Sequence, residues 1–238
     1  MGRLGKALRL ARQVGVVDAV RFLFADLEKV YVSRYGYRFV PFTDGGWLYY
    51  NGLLEKKTFE FIASRLSMYS WFMDVGAGYG EYLLLAASNN VPAVGYEPNP
   101  VMYAVADFNI RLNKYEGLVK LYNKPICSML KATLRVPIPI TRGSILRGVE
   151  PVVTYRVDCM VPRKEEFMNG RGLVKIDVEG YEEAVIDLLK KYLAETMYDL
   201  VVESTDERIG TIEAATNCYC TEIESWKGWR VKNYYCMC

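Results

Sequence analysis

The sequence contains no histidine among its 238 residues, so no imidazole is available to accept or donate a proton near neutral pH. No apolar run approaches the roughly 18 residues that a transmembrane helix requires. The formal net charge is only +2, and without a dense basic tract this balance argues against a nucleic-acid partner. The basic N-terminus leads into an apolar stretch that Asp18, Arg21 and Asp26 interrupt. Because no small-residue cleavage site follows, we expect a cytoplasmic protein.

The composition is that of a globular α/β protein. Hydrophobic residues make up 51% of the chain and charged residues 24%, which excludes a disordered sequence. Apolar runs of strand length alternate with amphipathic stretches, a pattern typical of a mostly parallel sheet with helices on both faces. We predict strands near 71–75, 92–96, 118–122, 172–177 and 198–203, helices near 80–89, 98–113 and 180–191, and two closing strands at 218–224 and 230–237. Between 123 and 160 the alternation breaks down, and proline-containing runs around Arg142-Gly143-Ser144 predict a β insertion.

Residues 1–60 precede this pattern and are predicted to form an N-terminal helical and aromatic extension, with the main domain over 61–238. Residues 3–32 show helical periodicity, with basic side chains spread opposite an apolar face; these are Arg3, Lys6, Arg9 and Arg12. Such a helix can lie on an anionic membrane surface. It can equally pack on the core or on a second subunit of a homo-oligomer, and we favour packing. The aromatic-rich residues 37–50 indicate a short hairpin or loop, and a helix over about 53–66 leads into the main domain.

A glycine-rich turn follows the first strand of the main domain. Asp74 precedes Gly76, Gly78 and Gly80, and an amphipathic stretch comes next. Glycine permits a positive φ and lets a ligand approach the backbone, while the following helix offers unpaired N–H groups. Glu97 ends the next strand 21 positions after Gly76, close to the roughly 20-residue offset at which an acid meets ribose hydroxyls in nucleotide-binding folds. An acid before the turn suits a cationic ligand, so we expect S-adenosylmethionine rather than a dinucleotide.

A third segment completes the pattern. Lys175-Ile-Asp177-Val-Glu179-Gly180, together with the Asp74–Gly80 turn and Tyr96-Glu97-Pro98-Asn99, resembles the signature of the FkbM family of S-adenosylmethionine-dependent methyltransferases. The resemblance covers roughly residues 70–205. It implies a Rossmann-like class I methyltransferase fold, with a mostly parallel central sheet, helices on both faces and an antiparallel last strand. It also implies methyl transfer to a hydroxyl of a sugar, a glycan or a small metabolite.

Cofactor-binding residues are expected at the carboxyl ends of the strands, where open α/β sheets bind ligands. The predicted set is Asp74, Gly76, Ala77, Gly78, Gly80, Glu97, Pro98 and Asn123. We expect Glu97 to accept hydrogen bonds from the ribose hydroxyls. Asn123, or its neighbour Tyr122, is expected to approach the adenine.

Residues after the fourth predicted strand are candidates for catalysis. Without a histidine, removal of a hydroxyl proton falls to Asp177 or Glu179, with Lys175 tuning the acid. Asp177 and Glu203 also match the positions at which metal-dependent catechol-type methyltransferases hold Mg²⁺, an ion that prefers oxygen ligands. A magnesium site is therefore the alternative to a free carboxylate base.

Six cysteines occur at positions 127, 159, 218, 220, 236 and 238. Four of them form two Cys-x-Cys pairs in the closing strands, where residues i and i+2 share a face, so the pairs can approach across an antiparallel ladder. A disulfide and a bound metal both stay open. However, cytosolic disulfides are rare and structural zinc sites favour wider spacing, so we expect buried, unpaired thiols.

Two functions of other classes stay open. One is a non-catalytic S-adenosylmethionine-binding or scaffold protein of the same fold, against which the intact glycine turn and Glu97 argue. The other is a nicotinamide oxidoreductase. Calorimetric titration with S-adenosylmethionine and with NAD distinguishes them.

Overall fold

The computed structural model describes residues 11, 15–137, 152–226 and 228–238. Its strands are β1 (Tyr31–Val32), β2 (Arg38–Phe39), β3 (Trp71–Val75), β4 (Ala93–Tyr96), β5 (Val119–Tyr122), β6 (Lys131–Pro137), β7 (Val152–Asp158), β8 (Gly172–Ile176), β9 (Tyr198–Thr205), β10 (Tyr219–Ser225) and β11 (Val231–Met237). Its helices are α1 (Val16–Phe24), α2 (Asp44–Tyr50), α3 (Lys56–Arg65), α4 (Glu81–Ser88), α5 (Pro100–Leu112), α6 (Glu182–Tyr192) and α7 (Asp206–Thr216), with a 3₁₀ turn at Leu66–Met68.

One sheet of seven strands carries the fold, in the order β10-β11-β9-β8-β3-β4-β5. The strands from β9 to β5 are parallel, whereas β11 runs antiparallel to both β9 and β10. After β3 the chain adds β4 and β5 on one side, and then returns to add β8 and β9 on the other side. The strand order therefore reverses between β3 and β8. Open α/β sheets bind ligands at the carboxyl ends of the strands at such a reversal. The predicted Rossmann-like sheet with an antiparallel last strand is confirmed.

The central strands send alternate side chains into two cores. In β3, Trp71, Met73 and Val75 face a core shared with α6 and α7, while Phe72 faces a core shared with α3 and α4. All five residues of β3 are buried, as expected for a parallel strand covered on both faces. Because helices cover both faces, a ligand approaches β3 from its carboxyl end.

The segment before β3 packs against the α3–α4 side of the sheet. Phe22 of α1 meets Trp47 of α2 edge-on, with 5.9 Å between the ring centroids. Tyr50 donates its phenol hydrogen to the carbonyl oxygen of Tyr79 at 2.6 Å. Asn109 of α5 in turn donates to the Tyr50 hydroxyl oxygen at 2.8 Å. The segment is therefore anchored to the turn that follows β3.

Two predictions for this segment were wrong in part. The helix predicted over 3–32 ends with α1 at Phe24, because Ala25 is extended and a turn then leads into β1; basic residues 3, 6, 9 and 12 lie outside the described residues. The hairpin or loop predicted over 37–50 contains helix α2, which Thr43 caps by accepting a hydrogen bond from the Gly46 N–H. The helix predicted near 53–66 is confirmed as α3.

The segment predicted as a β insertion contains an antiparallel hairpin of β6 and β7, with Lys131 opposite Asp158 at its base. Its predicted turn at 142–144 lies outside the described residues. A disulfide between Cys127 and Cys159 joins the chain just before β6 to the chain just after β7. The hairpin is thus closed covalently at its root.

The prediction of unpaired thiols was wrong. The six cysteines form the disulfides Cys127–Cys159, Cys218–Cys238 and Cys220–Cys236. Cys220 and Cys236 lie directly opposite each other in the β10–β11 ladder, with their Cα atoms 4.0 Å apart. The ladder therefore brings the two Cys-x-Cys pairs close to each other across the hairpin. At this distance the cysteines form disulfides rather than unpaired thiols.

Helix α7 was not predicted. Of its 11 residues only Ile212 is buried, so its sequence lacks the repeated apolar positions that mark an amphipathic helix. Across the described ranges, no helix has both the length and the apolar content to cross a membrane.

Candidate active site

The turn between β3 and α4 is shaped by three glycines with positive φ. A Cβ on Gly76 (φ 84°) would lie 1.8 Å from the carbonyl oxygen of Asp177, and one on Gly80 (φ 77°) would lie 2.8 Å from the Cβ of Ala106. These two glycines therefore permit close packing with β8 and α5. Gly78 (φ 54°) differs, because a Cβ there would meet no atom within 4 Å. The middle of the turn faces open space that a ligand can occupy.

Glu97 lies at the carboxyl end of β4 and crosses to the glycine turn. Its Oε2 accepts a hydrogen bond from the Gly78 N–H at 2.7 Å, and its Oε1 accepts one from the Asn99 N–H at 2.6 Å. Burial raises the pKa of Glu97 to about 7, although these two N–H groups act in the opposite direction. A carboxylate with further lone pairs is thus held rigidly beside the open centre of the turn.

The neighbours of Glu97 connect this region to β5 and to the β6–β7 hairpin. Asn123 donates from Nδ2 to the carbonyl oxygen of Glu97 at 2.8 Å. Tyr155 of β7 donates its phenol hydrogen to the carbonyl oxygen of Pro98. Tyr122 instead donates its phenol hydrogen to Glu165 at 2.8 Å. Of the two candidates for the adenine side, Asn123 contacts Glu97 through its side chain, whereas Tyr122 does so through its backbone carbonyl, which accepts from the Glu97 N–H at 3.0 Å.

Asp74 lies in β3, two residues before the first glycine of the turn, and is fully buried. Neither of its carboxylate oxygens has a hydrogen-bond partner within the described part of the chain. Burial raises the pKa of Asp74 to about 7, while the nearby Lys175 acts to lower it. A buried carboxylate without a partner is costly, and a ligand cation would satisfy it. The ammonium and sulfonium groups of S-adenosylmethionine fit this requirement.

Lys175 and Asp177 form an ion pair at the end of β8. The Lys175 Nζ lies 3.1 Å from Asp177 Oδ2, and Lys175 is 4% exposed. Burial lowers the pKa of Lys175, but the surrounding carboxylates, Asp177 first among them, outweigh burial and raise it well above its usual value. Lys175 is therefore an ammonium ion at neutral pH. Because the Asp177 carbonyl abuts Gly76, this ion pair lies directly beside the glycine turn.

Glu179 and Glu203 flank the ion pair on its open side. Burial raises the pKa of Glu179, and burial followed by repulsion from Asp177 and Glu179 raises the pKa of Glu203 to about 8. Both line a cavity of about 200 Å³, together with Thr205. Glu179 has a positive φ of 54°, a strained conformation for a non-glycine residue.

A family model for the methyltransferase FkbM domain matches residues 74–217, which include the glycine turn, Glu97 and the Lys175–Asp177 pair. The chain belongs to the FkbM methyltransferase family. This membership, with the sheet order described above, makes the protein a member of an S-adenosylmethionine-dependent methyltransferase family with a class I fold. No curated protein matches the chain.

Several solved structures resemble this FkbM family member at low identity. The FkbM methyltransferase from Methylobacillus flagellatus KT is 15% identical, with a TM-score of 0.45; the match covers 98% of this chain and 58% of that one. The magnesium protoporphyrin IX methyltransferase from Synechocystis PCC 6803 with bound SAM is 12% identical, with a TM-score of 0.47 and coverages of 77% and 80%. The precorrin-6y C5,15-methyltransferase from Geobacter metallireducens GS-15 is 13% identical, with a TM-score of 0.40 and coverages of 77% and 88%.

The donor set of this FkbM site does not support the magnesium alternative. Among the described residues, no group of three or more Asp, Glu, Cys or His side chains is arranged to hold a metal ion. Asp177 is already paired with Lys175. The two acids that sequence reasoning paired thus lack a third ligand.

Sequence reasoning missed two side chains that reach the Lys175–Asp177 pair. Tyr82 of α4 places its ring 4.9 Å from the Lys175 Nζ. Its phenol donates a 2.7 Å hydrogen bond to Glu55, just before α3. In the sequence, Tyr82 has the pattern of an ordinary core residue of an amphipathic helix, and Glu55 belongs to no motif. Neither residue could therefore be identified as part of the site from the sequence.

Proposed function

We propose that this FkbM methyltransferase transfers a methyl group from S-adenosylmethionine to a hydroxyl oxygen of a sugar, a glycan or another small metabolite. The observation that carries the proposal is the Lys175–Asp177 ion pair at 3.1 Å, next to the glycine turn. It supplies a carboxylate that a lysine ammonium holds at the end of a buried strand, beside the expected cofactor site. Positioning an acceptor 3–3.5 Å from the methyl group on the correct axis provides much of the rate enhancement of such reactions.

The cofactor, when bound, supplies an electrophilic methyl group on a sulfonium ion. Glu97 would accept hydrogen bonds from the ribose hydroxyls with lone pairs that its two N–H donors leave free. The carboxylate of Asp74 would face the cationic end, where its burial excludes water and strengthens the attraction. The open space over Gly78 would admit the cofactor against the backbone, with Ala77, Gly80, Pro98 and Asn123 around it.

Asp177 is the proposed proton acceptor. Lys175 remains protonated and cannot accept a proton. Asp177 directly follows the buried strand β8 and abuts the glycine turn, so its carboxylate has a rigid support beside the cofactor site. In the proposed step the acceptor oxygen forms a bond to the methyl carbon while the carbon–sulfur bond breaks and its electron pair remains on sulfur. The hydroxyl proton passes to the Asp177 carboxylate. Lys175 would hold that carboxylate in place.

The test compares Asp177→Asn with Asp187→Asn, an exposed acid of α6. Asp177→Asn keeps the shape but loses the base, so turnover should fall roughly 10²–10⁴-fold, while the dissociation constant of S-adenosylmethionine changes only a few-fold. Asp187→Asn should behave as wild type. The assay follows transfer of a tritiated methyl group to methyl α-glucoside, methyl α-mannoside and methyl α-rhamnoside.

Three outcomes would count against the proposal. Near-normal turnover of Asp177→Asn would show that positioning alone carries the reaction. Loss of activity in excess chelator would restore the magnesium alternative. Tight binding of S-adenosylmethionine without methyl transfer to any hydroxyl acceptor would favour a non-catalytic binding protein.

A further inference from the structure

Glu55 lies immediately before α3, in the part of the chain that precedes the matched FkbM domain. Its Oε2 accepts a hydrogen bond from the Tyr82 phenol at 2.7 Å, although the two residues lie on different elements. Burial raises the pKa of Glu55, the charge of Lys175 lowers it, and Asp177 raises it again. Glu55 is therefore within electrostatic reach of the ion pair proposed to carry the reaction.

A chain of direct contacts leads from Glu55 to Asp177. Tyr82, whose phenol is hydrogen-bonded to Glu55, faces the Lys175 ammonium with its ring. The distance from Nζ to the ring centroid is 4.9 Å. A cation over an aromatic face at this distance is attracted to it, more strongly when water is excluded. The same ammonium reaches Asp177 Oδ2 at 3.1 Å. Lys175 is thus held between the Tyr82 ring and the Asp177 carboxylate.

Glu55 directly precedes a helical turn that a glutamate of β10 holds in place. Glu224 of β10 accepts hydrogen bonds on Oε2 from both the Thr58 N–H at 3.0 Å and the Thr58 hydroxyl at 2.9 Å. These bonds fix the first turn of α3, and Glu55 is the residue that directly precedes this turn. A carboxylate on such a support can hold the Tyr82 ring in one orientation.

We infer that Glu55 is a positioning residue of the methyl-transfer site, which acts through Tyr82 and Lys175 to orient the Asp177 carboxylate toward the acceptor. The inference rests on the proposed function. It adds a residue from outside the matched domain to the site. The role differs from general packing because it depends on one hydrogen bond, from the Tyr82 phenol to the Glu55 carboxylate.

Kinetics of four variants test the inference, with the same tritiated cofactor and methyl glycosides. Glu55→Ala should lower kcat roughly 10–100-fold, since a displacement near 1 Å costs about that much, and should leave the dissociation constant of S-adenosylmethionine within threefold. Tyr82→Phe keeps the ring but removes the donor, so it should cause a similar loss. Glu55→Gln still accepts the phenol hydrogen bond and should recover most of the loss. The double variant Glu55→Ala/Tyr82→Phe should be no worse than either single variant, because the two residues act in series.

Glu60→Ala is the matched control, because Glu60 is an exposed acid on the same helix, and it should behave as wild type. The inference is overturned if Glu55→Ala keeps kcat within twofold, if the two single losses add in the double variant, or if cofactor binding weakens in parallel with kcat. If Glu55→Ala fails to fold, the kcat values of Tyr82→Phe and Glu55→Gln test the inference instead. Tyr82→Phe should lose activity and Glu55→Gln should largely keep it.

A measurement without turnover separates this inference from the proposed function. The ammonium resonance of Lys175, assigned by comparison with Lys175→Arg, should shift in Glu55→Ala and stay unchanged in Glu60→Ala. If wild type methylates none of the acceptors, the proposed function fails while this shift still reports the linkage. If wild type is active and the resonance does not respond to Glu55→Ala, the inference alone fails.

Discussion

At the scale of single residues, the site is a group of buried carboxylates around one lysine. Asp74 and Glu97 both have a pKa of about 7, chiefly because they are buried, and Asp74 has no hydrogen-bond partner within the described residues. Burying a carboxylate without a partner is unfavourable. In the proposed site a cationic cofactor would offset that cost only when the carboxylates are ionised, so we expect its binding to be coupled to proton release.

This coupling predicts a pH-dependent cofactor affinity. The pKa values of Asp74 and Glu97, about 7, lie above the ordinary carboxyl range near 4. Without cofactor, the folded protein therefore binds more protons than the unfolded chain between about pH 4 and 7, and its free energy of unfolding rises as pH falls through that window. S-adenosylmethionine must displace those protons, so its affinity should fall as pH drops from 8 to 6, by at most about tenfold per unit for each proton released.

Calorimetric titration in two buffers of different ionisation enthalpy measures both the affinity and the released protons. Asp74→Asn is the control, because the amide does not titrate, and its affinity should depend less on pH. A dissociation constant that stays constant from pH 8 to 6 would contradict the coupling.

A second residue-scale prediction concerns Glu97 alone. Glu97→Ala removes the proposed acceptor for the ribose hydroxyls and the acceptor for the Gly78 N–H. Hydrogen bonds to charged groups contribute about 1.5–3 kcal/mol, so the dissociation constant of S-adenosylmethionine should rise roughly 10–150-fold. Glu116→Ala, at an exposed acid, should bind like wild type. Unchanged affinity in Glu97→Ala would remove this residue from the cofactor site.

The sequence was informative for residues that belong to a local pattern. The glycine turn and Glu97 could be located because their spacing follows from one strand–turn–helix unit and the next strand. Glu55 and Tyr82 are 27 positions apart and meet Lys175 only after the sheet has formed. No local pattern records such a meeting, so these two residues could not be found before the fold was known.

At the scale of elements, helix α3 shows how a distant strand completes a local structure. No side chain at its N-cap position, Glu55, bonds back to the helix. Glu224 of β10, 166 positions away, accepts the Thr58 N–H instead. The helix itself was predicted over about 53–66, but its cap was not, because the capping residue lies in another element. The negative charge of Glu224 also complements the positive end of the helix dipole.

Glu224→Ala should therefore destabilise the protein by about 1–2 kcal/mol, the usual range for loss of a helix cap. Glu222→Ala is the matched control on the same strand, since Glu222 is exposed and pairs with Lys232 at 3.0 Å near the surface; such pairs contribute at most about 1 kcal/mol. Urea-induced unfolding followed by circular dichroism measures both values. Equal effects of the two substitutions would show that the bond from Thr58 to Glu224 does not stabilise α3.

Elements with strong periodicity were predicted, and those held by long-range contacts were not. The central strands β3, β4 and β8 are mostly apolar because every residue in them is buried. Helix α2 forms instead around Trp47 and Tyr50, which pack into the core next to the glycine turn, and its Asp-Gly-Gly start reads as a loop. Helix α7 buries only Ile212 and follows β9 without a break, so its pattern is too sparse to recognise.

At the scale of the whole molecule, helix α3, which precedes the main sheet, meets the closing strands β10 and β11. Residues before β3 supply Glu55 and the aromatic packing around the glycine turn, while β10 and β11 supply the cap of α3. Asn233 of β11 adds to this junction by donating to the Thr58 hydroxyl at 3.0 Å. The parallel sheet could be predicted from alternation of strands and helices. The junction could not, because it depends on contacts between segments more than 150 positions apart.

Two nested disulfides hold the β10–β11 hairpin that forms part of this junction. Cys220–Cys236 closes a separation of 16 residues and Cys218–Cys238 one of 20, and the first loop lies within the second. In the chain-entropy account, closing a loop of this length stabilises by about 3 kcal/mol. Once either bond is present, the other closes only a few additional residues, so its own contribution should fall to about 1–2 kcal/mol.

Stability should therefore respond non-additively to loss of these bonds. Replacing either cysteine pair by serine should cost about 1–2 kcal/mol, whereas replacing both pairs should cost about 5 kcal/mol, more than the two single losses together. Cys127→Ser/Cys159→Ser opens an independent loop with a separation of 32, so about 3–4 kcal/mol should be lost whether or not the nested bonds are present. Guanidinium unfolding of the variants gives these values. Losses that simply add for the two nested pairs would contradict the loop-closure argument and would point to local packing of each bond as the source of its stabilisation.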